Sequence, residues 1–286
     1  MGTGRTLLLG AIAGGTILLG MPLGRMDRPA PRLRQVLNAT AIGVLLFLLW
    51  DVLAGAFEPI DAALGSFHEG HGGLGSAIGY AALFFAGLTL GLMSLVYYER
   101  RLATVGSRAF GPGAVTVGEL ETRTAGIASW SPARRLALLI AVGIGLHNFA
   151  EGLAIGSSAA SGDIALATLL VVGFALHNAT EGFGIVAPLA ADRAAGEDRP
   201  SWGFLLGMAL IGGGPTFLGT AIGHAVTNEA LSVAFLTLAG GSILYVVMQL
   251  LAVANKAGRK DLLGWGVLLG LAAGFATDMV VTAAGV

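Results

Sequence analysis

Two hexapeptides thirty residues apart, His147-Asn148-Phe149-Ala150-Glu151-Gly152 and His177-Asn178-Ala179-Thr180-Glu181-Gly182, repeat one pattern of imidazole, amide and carboxylate. On an α-helix, positions i and i+4 project from one face about one turn apart. His147 with Glu151, and His177 with Glu181, therefore each offer one nitrogen and one oxygen to the same side. Two such helices face to face make an N2O2 site. Asn148 and Asn178 lie beside it and could supply amide oxygens or hydrogen bonds to the ligands. Two neutral histidines and two carboxylates leave a double negative charge that a divalent cation cancels. Without the ion, the groups have to take up protons, recruit water or bear desolvation, so metal binding should displace protons. The donors suit zinc, iron(II), manganese, cobalt, nickel or cadmium better than calcium or magnesium, which favour all-oxygen shells. The chain has no cysteine to favour copper(I) or to form disulfides.

The elements that must position these groups are membrane-spanning helices. Of 286 residues 55% are hydrophobic and only 12% charged, and the mean hydropathy is +0.80; a soluble domain of this size is far less apolar. About 20 apolar residues span a bilayer as helix. Eight such runs are read over residues 6–24, 36–57, 75–98, 133–158, 164–190, 202–223, 230–254 and 262–284. Each hexapeptide falls near the middle of its run. An ionisable side chain at that depth costs ~2.5–3.5 kcal/mol on insertion scales, which makes it a functional candidate by default. The competing reading is that each His-Glu pair only ties helices together by buried hydrogen bonds. Such polar glue is usually Ser, Thr or a single Asn and contributes ~1 kcal/mol per contact.

Threading the eight spans alternately collects Arg25, Arg28, Arg32, Arg34, Arg100, Arg101, Arg108, Arg123, Arg134, Arg135, Arg193, Arg199, Lys256, Arg259 and Lys260 on one side and leaves only Arg5 on the other. The enrichment of short cytoplasmic loops in Lys and Arg predicts a plasma (inner) membrane protein with both termini outside the cytoplasm. It also makes residues 99–132 the largest cytoplasmic connection, polar and interrupted by Gly106, Gly111, Pro112, Gly113 and Pro132. No part reads as a separate soluble domain, so residues 1–286 are expected to form one transmembrane unit. The first run is longer than a signal-peptide core and precedes a basic cluster, which argues against cleavage. Among the forty-six glycines, Gly79, Gly87 and Gly91 fit close helix packing. Gly143 and Gly173, four residues before the motif histidines, could bring the fourth and fifth helices together.

Outside the motifs, Asp51 in the second span could relay cations toward the site or pair with a neighbouring helix, and Asp278 in the last span is similar. The external stretch Glu58 to Gly75 carries Glu58, Asp61, His68, Glu69 and His71 and reads as a solvated loop, with loose ion capture as the alternative. Asn38, Thr40, Gln249 and Asn255 could line an exit path or bond between helices. An intramembrane metal-dependent hydrolase would use the same ligand types. Against it stand the absence of His-Glu-x-x-His and Gly-x-Ser-x-Gly and of a spare acid in either hexapeptide. A metal sensor without net transport remains a third reading.

With these residues in place the chain resembles the ZIP (Zrt/Irt-like) metal transporters, most nearly their GufA-like bacterial branch. The resemblance rests on the paired motifs in spans four and five, the outward termini and the large loop after span three. It implies an all-α integral membrane fold of eight helices, arranged 3+2+3 with inverted repeats around the central pair. It implies uptake of divalent transition metal ions into the cytoplasm, zinc foremost with iron, manganese and cadmium as candidates, and no organic cofactor or enzyme activity. His147, Glu151, His177 and Glu181 would hold the main ion. Asn148, Asn178 and an acid from the sixth helix would form a second position, to which Glu181 bridges. This chain departs there: Gly214, before Pro215, stands where many relatives have glutamate. Ala150 and Thr180 replace a proline that relatives often carry in each motif. The expected partners are the metal ion and the bilayer, with a homodimer as a further expectation and no nucleic acid.

Overall fold

A computed structural model describes residues 2–26, 31–108, 127, 130–160, 164–189, 192, 196, 198–225, 228–256 and 258–283. Among them the chain is all helix, without strands. α1 (Thr3–Gly15) continues through 3-10 turns Thr16–Leu19 and Met21–Arg25. It is followed by α2 (Pro31–His68), α3 (Leu74–Arg108), α4 (Pro132–Ala160), α5 (Ile164–Val186), α6 (Trp202–Gly223), α7 (Glu229–Lys256) and α8 (Lys260–Ala283). Seven of these segments are long and apolar enough to cross a membrane among the described residues, and α5 is the eighth helix. The protein is a multi-pass membrane protein. Of the polar connection expected over residues 99–132, α3 instead takes up the first ten, running as helix to Arg108, and most of the remainder lies outside the described residues.

Local chemistry sets several helix starts. Ser131 Oγ accepts from Arg134 N at 3.1 Å, Ser201 Oγ from Phe204 N at 3.1 Å and Asn228 Oδ1 from Leu231 N at 3.0 Å. Each satisfies an amide that the first turn leaves without an intrahelical partner. The stretch from Glu58 to Gly75, expected as a loop, is instead mostly helix: α2 runs on to His68 and the turn is confined to residues 69–73. Pro59 lies inside α2 and forfeits one backbone bond, while the following Ala, Leu and Phe residues carry the helix on. At 1.5 Å per residue its 38 residues reach about 57 Å, well past the ~30 Å hydrocarbon core. Gly70, at φ +75°, makes the left-handed turn that ends it.

The helices pack as two groups of four. α4 lies along α6, and both contact α1 and α5; α2 lies along α8, α3 along α7, and α2 along α7. Exchanging α1 with α6, α2 with α7, α3 with α8 and α4 with α5 maps nearly every closely packed pair onto another such pair. Exchanged helices are of opposite parity in the chain and so cross in opposite directions. That is the 3+2+3 inverted-repeat arrangement expected from the resemblance. The exception is α2 with α3, which meet where Phe57 stacks edge-on against Phe84. Between the groups lies the main aliphatic core, including Ile42 and Leu45 of α2, Ile140 and Ile144 of α4, Ile185 of α5, and Ile243, Val246 and Leu250 of α7.

Glycine decides how close the helices come. A Cβ at Gly145, Gly152 or Gly156 of α4 would strike the backbone oxygens of Ile211, Thr216 or Thr220 on α6, and one at Gly219 or Gly223 of α6 would strike Phe149 or Leu153 O on α4. Pro215 has no N–H to give Ile211 O, so that carbonyl is open to the α4 contact. Gly87 and Gly91 pack against α7 as expected, whereas a Cβ at Gly79 would meet nothing within 4 Å. Gly143 faces Val246 and Ser242 of α7, not α5; spacing from His147 gives a helix face, not the neighbour opposite it. The surroundings of Gly173 are outside what the structure describes.

Candidate metal site

α4 and α5 pack against each other and bring their motifs together. His147 is fully enclosed, Glu181 is 1% exposed and Glu151 5%. His147 Nε2 lies 2.8 Å from Glu151 Oε1, the i,i+4 pair read from the sequence, and 3.8 Å from Glu181 Oε1 on the other helix. Asn148, also fully buried, donates from Nδ2 to Glu181 Oε2 at 3.2 Å and to Gly212 O of α6 at 2.9 Å. Asn178 donates to Ala13 O of α1 at 3.0 Å. His177 belongs to α5 one turn before Glu181, and its side chain is outside the described residues.

One imidazole and two carboxylates thus converge from two helices, with an amide steadying Glu181. Among the described residues no three His, Cys, Asp or Glu side chains already stand at the spacing of a metal-ligand cluster. The close His147–Glu151 contact is compatible with that. The imidazole leans on a carboxylate with which it would otherwise share an ion, so ligation requires the two to part. The Oδ1 atoms of Asn148 and Asn178 and the Thr216 hydroxyl are buried without a hydrogen-bond partner among the described residues. These are neutral oxygens on the α1/α6 side of the carboxylates. Position 214 does not join them: a Cβ at Gly214 would meet only the Leu210 side chain, and Gly214 lines a groove against α1. The group α6 presents to Asn148 is a backbone carbonyl, which has no sequence signature.

Asp51 of α2 is exposed. Asp51, Gly55, Glu58 and Ala62 recur at helical spacing along one stripe of α2, and the last three line a cavity of about 650 Å³. Its other walls are α4 at Ala150, Leu153, Ala154 and Ser157 and the start of α7 at Asn228, Glu229 and Ser232. The cavity opens on the face opposite the basic residues and reaches Ala150 of the first hexapeptide. Glu229 of its wall accepts a hydrogen bond from Tyr80 of α3 at 2.7 Å. Glu58 was legible only as a loop acid, because the helical run of α2 past residue 57 carries no strong periodic signal.

Other expected residues are placed apart from the site. His68, Glu69 and His71 are exposed and Asp278 is half-buried. Asn38 donates to Leu250 O at 3.3 Å, and Gln249 and Tyr245 both donate to Glu99 Oε2 at 3.0 Å. Asn38 and Gln249 therefore bond between helices, the second of the two roles open to them from sequence.

Inverted helical repeats around a buried imidazole–carboxylate centre define a class of membrane protein in which intramembrane ionisable groups serve ion pathways. The model of the ZIP Zinc transporter family matches residues 117–281, more than half of the chain, and the chain belongs to that family. It is a divalent-metal transporter. The matched region holds both hexapeptides and starts after α3; it sets the family and not a branch within it. Among curated proteins, none matches the sequence.

Proposed function

We propose that the chain carries divalent transition metal ions into the cytoplasm through a mid-membrane site formed by His147, Asn148, Glu151, His177, Asn178 and Glu181. Zinc is the foremost substrate, with iron(II), manganese and cadmium behind it. The observation that supports this reading most directly is the meeting of His147 with both Glu151 and Glu181 where water does not reach. Two carboxylates on one imidazole in a low-dielectric interior are costly unless protons or a cation offset them. A divalent ion does so, and its arrival displaces protons while reprotonation loosens it for release. Asp51, with Glu58 above it on the same stripe, relays the ion from the outer cavity. Both termini face outward, and residues 1–286 work as one transmembrane unit.

The test is metal uptake by proteoliposomes, with internal pH followed in parallel. Wild-type protein is expected to admit zinc with a matching pH change, and Glu181→Ala to abolish uptake. Unchanged uptake in Glu181→Ala or His177→Ala would sink the proposed site. Metal bound at the site without flux in the wild type would favour a sensor.

A further inference from the structure

The outer side of the α1/α6 pair carries a groove that, among the described residues, is lined by these two segments alone. Gly10, Gly14, Gly15 and Leu18 line one wall, and Leu206, Leu210, Gly213 and Phe217 the other, around about 410 Å³. Its floor is the seam where Gly14 and Gly213 bring the two backbones into contact. Its ridges stand out toward the surroundings: Leu210 is 72% and Leu206 54% exposed. At this depth the surroundings are lipid chains, and a narrow apolar slot in lipid fills by shape and van der Waals fit rather than by the hydrophobic effect.

The groove also has a polar end. Trp202, Leu206, Leu210, Gly213 and Phe217 follow one another at three- or four-residue steps, so one stripe of α6 runs from the groove to Trp202. Trp202 is half-exposed, and the Arg25 guanidinium sits 5.1 Å from its ring centroid. Arg25 Nη1 donates to Pro200 O, which fixes the fork beside the indole and leaves further N–H donors. An indole at the headgroup level and a guanidinium at the end of an apolar slot complement a lipid phosphate with its chain below.

We propose that this groove holds one acyl chain of an anionic phospholipid, from the leaflet at the basic face, with its phosphate beside Arg25. A second copy of the chain fits less well. A twofold contact through this face, about an axis along the membrane normal, would set each Arg25 at the level of its own counterpart, like charge against like.

Three single substitutions test this by native mass spectrometry of the full chain, purified in detergent and offered phosphatidylglycerol or phosphatidylcholine. A Cβ at Gly15 meets nothing within 4 Å, so Gly15→Leu can fill the groove without moving backbone. Gly207 has the same freedom on α6 but does not line the groove, so Gly207→Leu is the control. The wild type should retain one phosphatidylglycerol in preference to phosphatidylcholine. Gly15→Leu should lower its retention about tenfold, Gly207→Leu should leave it unchanged, and Arg25→Gln should bind both lipids alike. Equal retention of the two lipids by the wild type, full retention by Gly15→Leu, or equal loss in Gly207→Leu would overturn the proposal. So would a wild-type dimer that Gly15→Leu converts to monomer without loss of lipid, which would assign the groove to a second copy.

Discussion

The helix contacts inside each group of four and the contacts between the groups are built differently. Inside the first group, α4 and α6 touch backbone to backbone through Gly145, Gly152, Gly156, Gly219 and Gly223. Inside the second, Gly43 and Gly270 do the same for α2 and α8, and Gly91 and Gly241 for α3 and α7. Between the groups the approach is made by side chains: a Cβ at Gly143 would meet the end of Val246 at 2.6 Å, and one at Gly184 would meet Leu250 Cδ1 at 3.5 Å and Ala41 Cβ at 3.9 Å. Ser242 Oγ adds a hydrogen bond to Gly143 O at 2.9 Å. Backbone contacts through glycine interlock at fixed positions, whereas aliphatic ends can repack. His147, Asn148, Glu151, Asn178 and Glu181, and the Gly212 and Ala13 carbonyls that hold the asparagines, all belong to the first group. Asp51 and Glu58 of the proposed path, both on α2, belong to the second. The site therefore goes wherever the first group goes, and its surroundings change only across the aliphatic contact.

The largest effect should come from breaking a seam. Gly219→Ala places a methyl against Phe149 O and near Leu153 N, where neither neighbour is a flexible side chain. The α4/α6 pair must then separate, at a cost of ~3 kcal/mol or more. Size-exclusion profiles and thermal unfolding of the purified variant should show loss of the folded protein. A melting temperature equal to the wild type's would mean that the seam is looser than its geometry.

A smaller, reversible effect should follow from locking the contact between groups. The chain has no cysteine, so a disulfide can be introduced without competing thiols. Gly143→Cys with Val246→Cys joins α4 to α7 across the groups. Gly24→Cys with Val186→Cys joins two segments within the first group, where a Cβ at Gly24 would lie 3.2 Å from Val186 Cβ. Oxidation should stop metal uptake in the first pair and spare it in the second, with reductant restoring the first. Uptake spared in both oxidised pairs would show that the site changes its exposure without displacement of one group against the other.

Much of this was legible from residue types and spacing, and the remainder was not for identifiable reasons. The His147–Glu151 pairing follows from an i,i+4 relation within one helix, and the structure has it at 2.8 Å. The eight helices follow from apolar run length. What spacing cannot reveal is which neighbour a face meets: Gly143 turns to α7, although it was read as facing α5. Backbone carbonyls such as Gly212 O and Ala13 O are present at every residue, so their use as acceptors for Asn148 and Asn178 emerges only once four helices are packed. The overrun of α2 was hidden because Pro59 and the surrounding charges resemble a loop boundary, yet one lost backbone bond does not stop a helix whose next turns are good formers.

The smallest effect sharpens the same comparison by repeating the first substitution on the other kind of contact. Gly184→Ala adds a methyl whose nearest neighbours, at 3.5 and 3.9 Å, are at ordinary van der Waals separation. It removes a glycine from the last turn of α5, where the gain is at most the roughly 0.5–1 kcal/mol of a mid-helix position. Thermal unfolding should therefore show no loss and at most a slight gain, opposite in sign to Gly219→Ala. If Gly184→Ala instead destabilises the protein as much as Gly219→Ala, the contact between the groups is as interlocked as the seams. The distinction between a rigid carrier of the site and its surroundings would then fail.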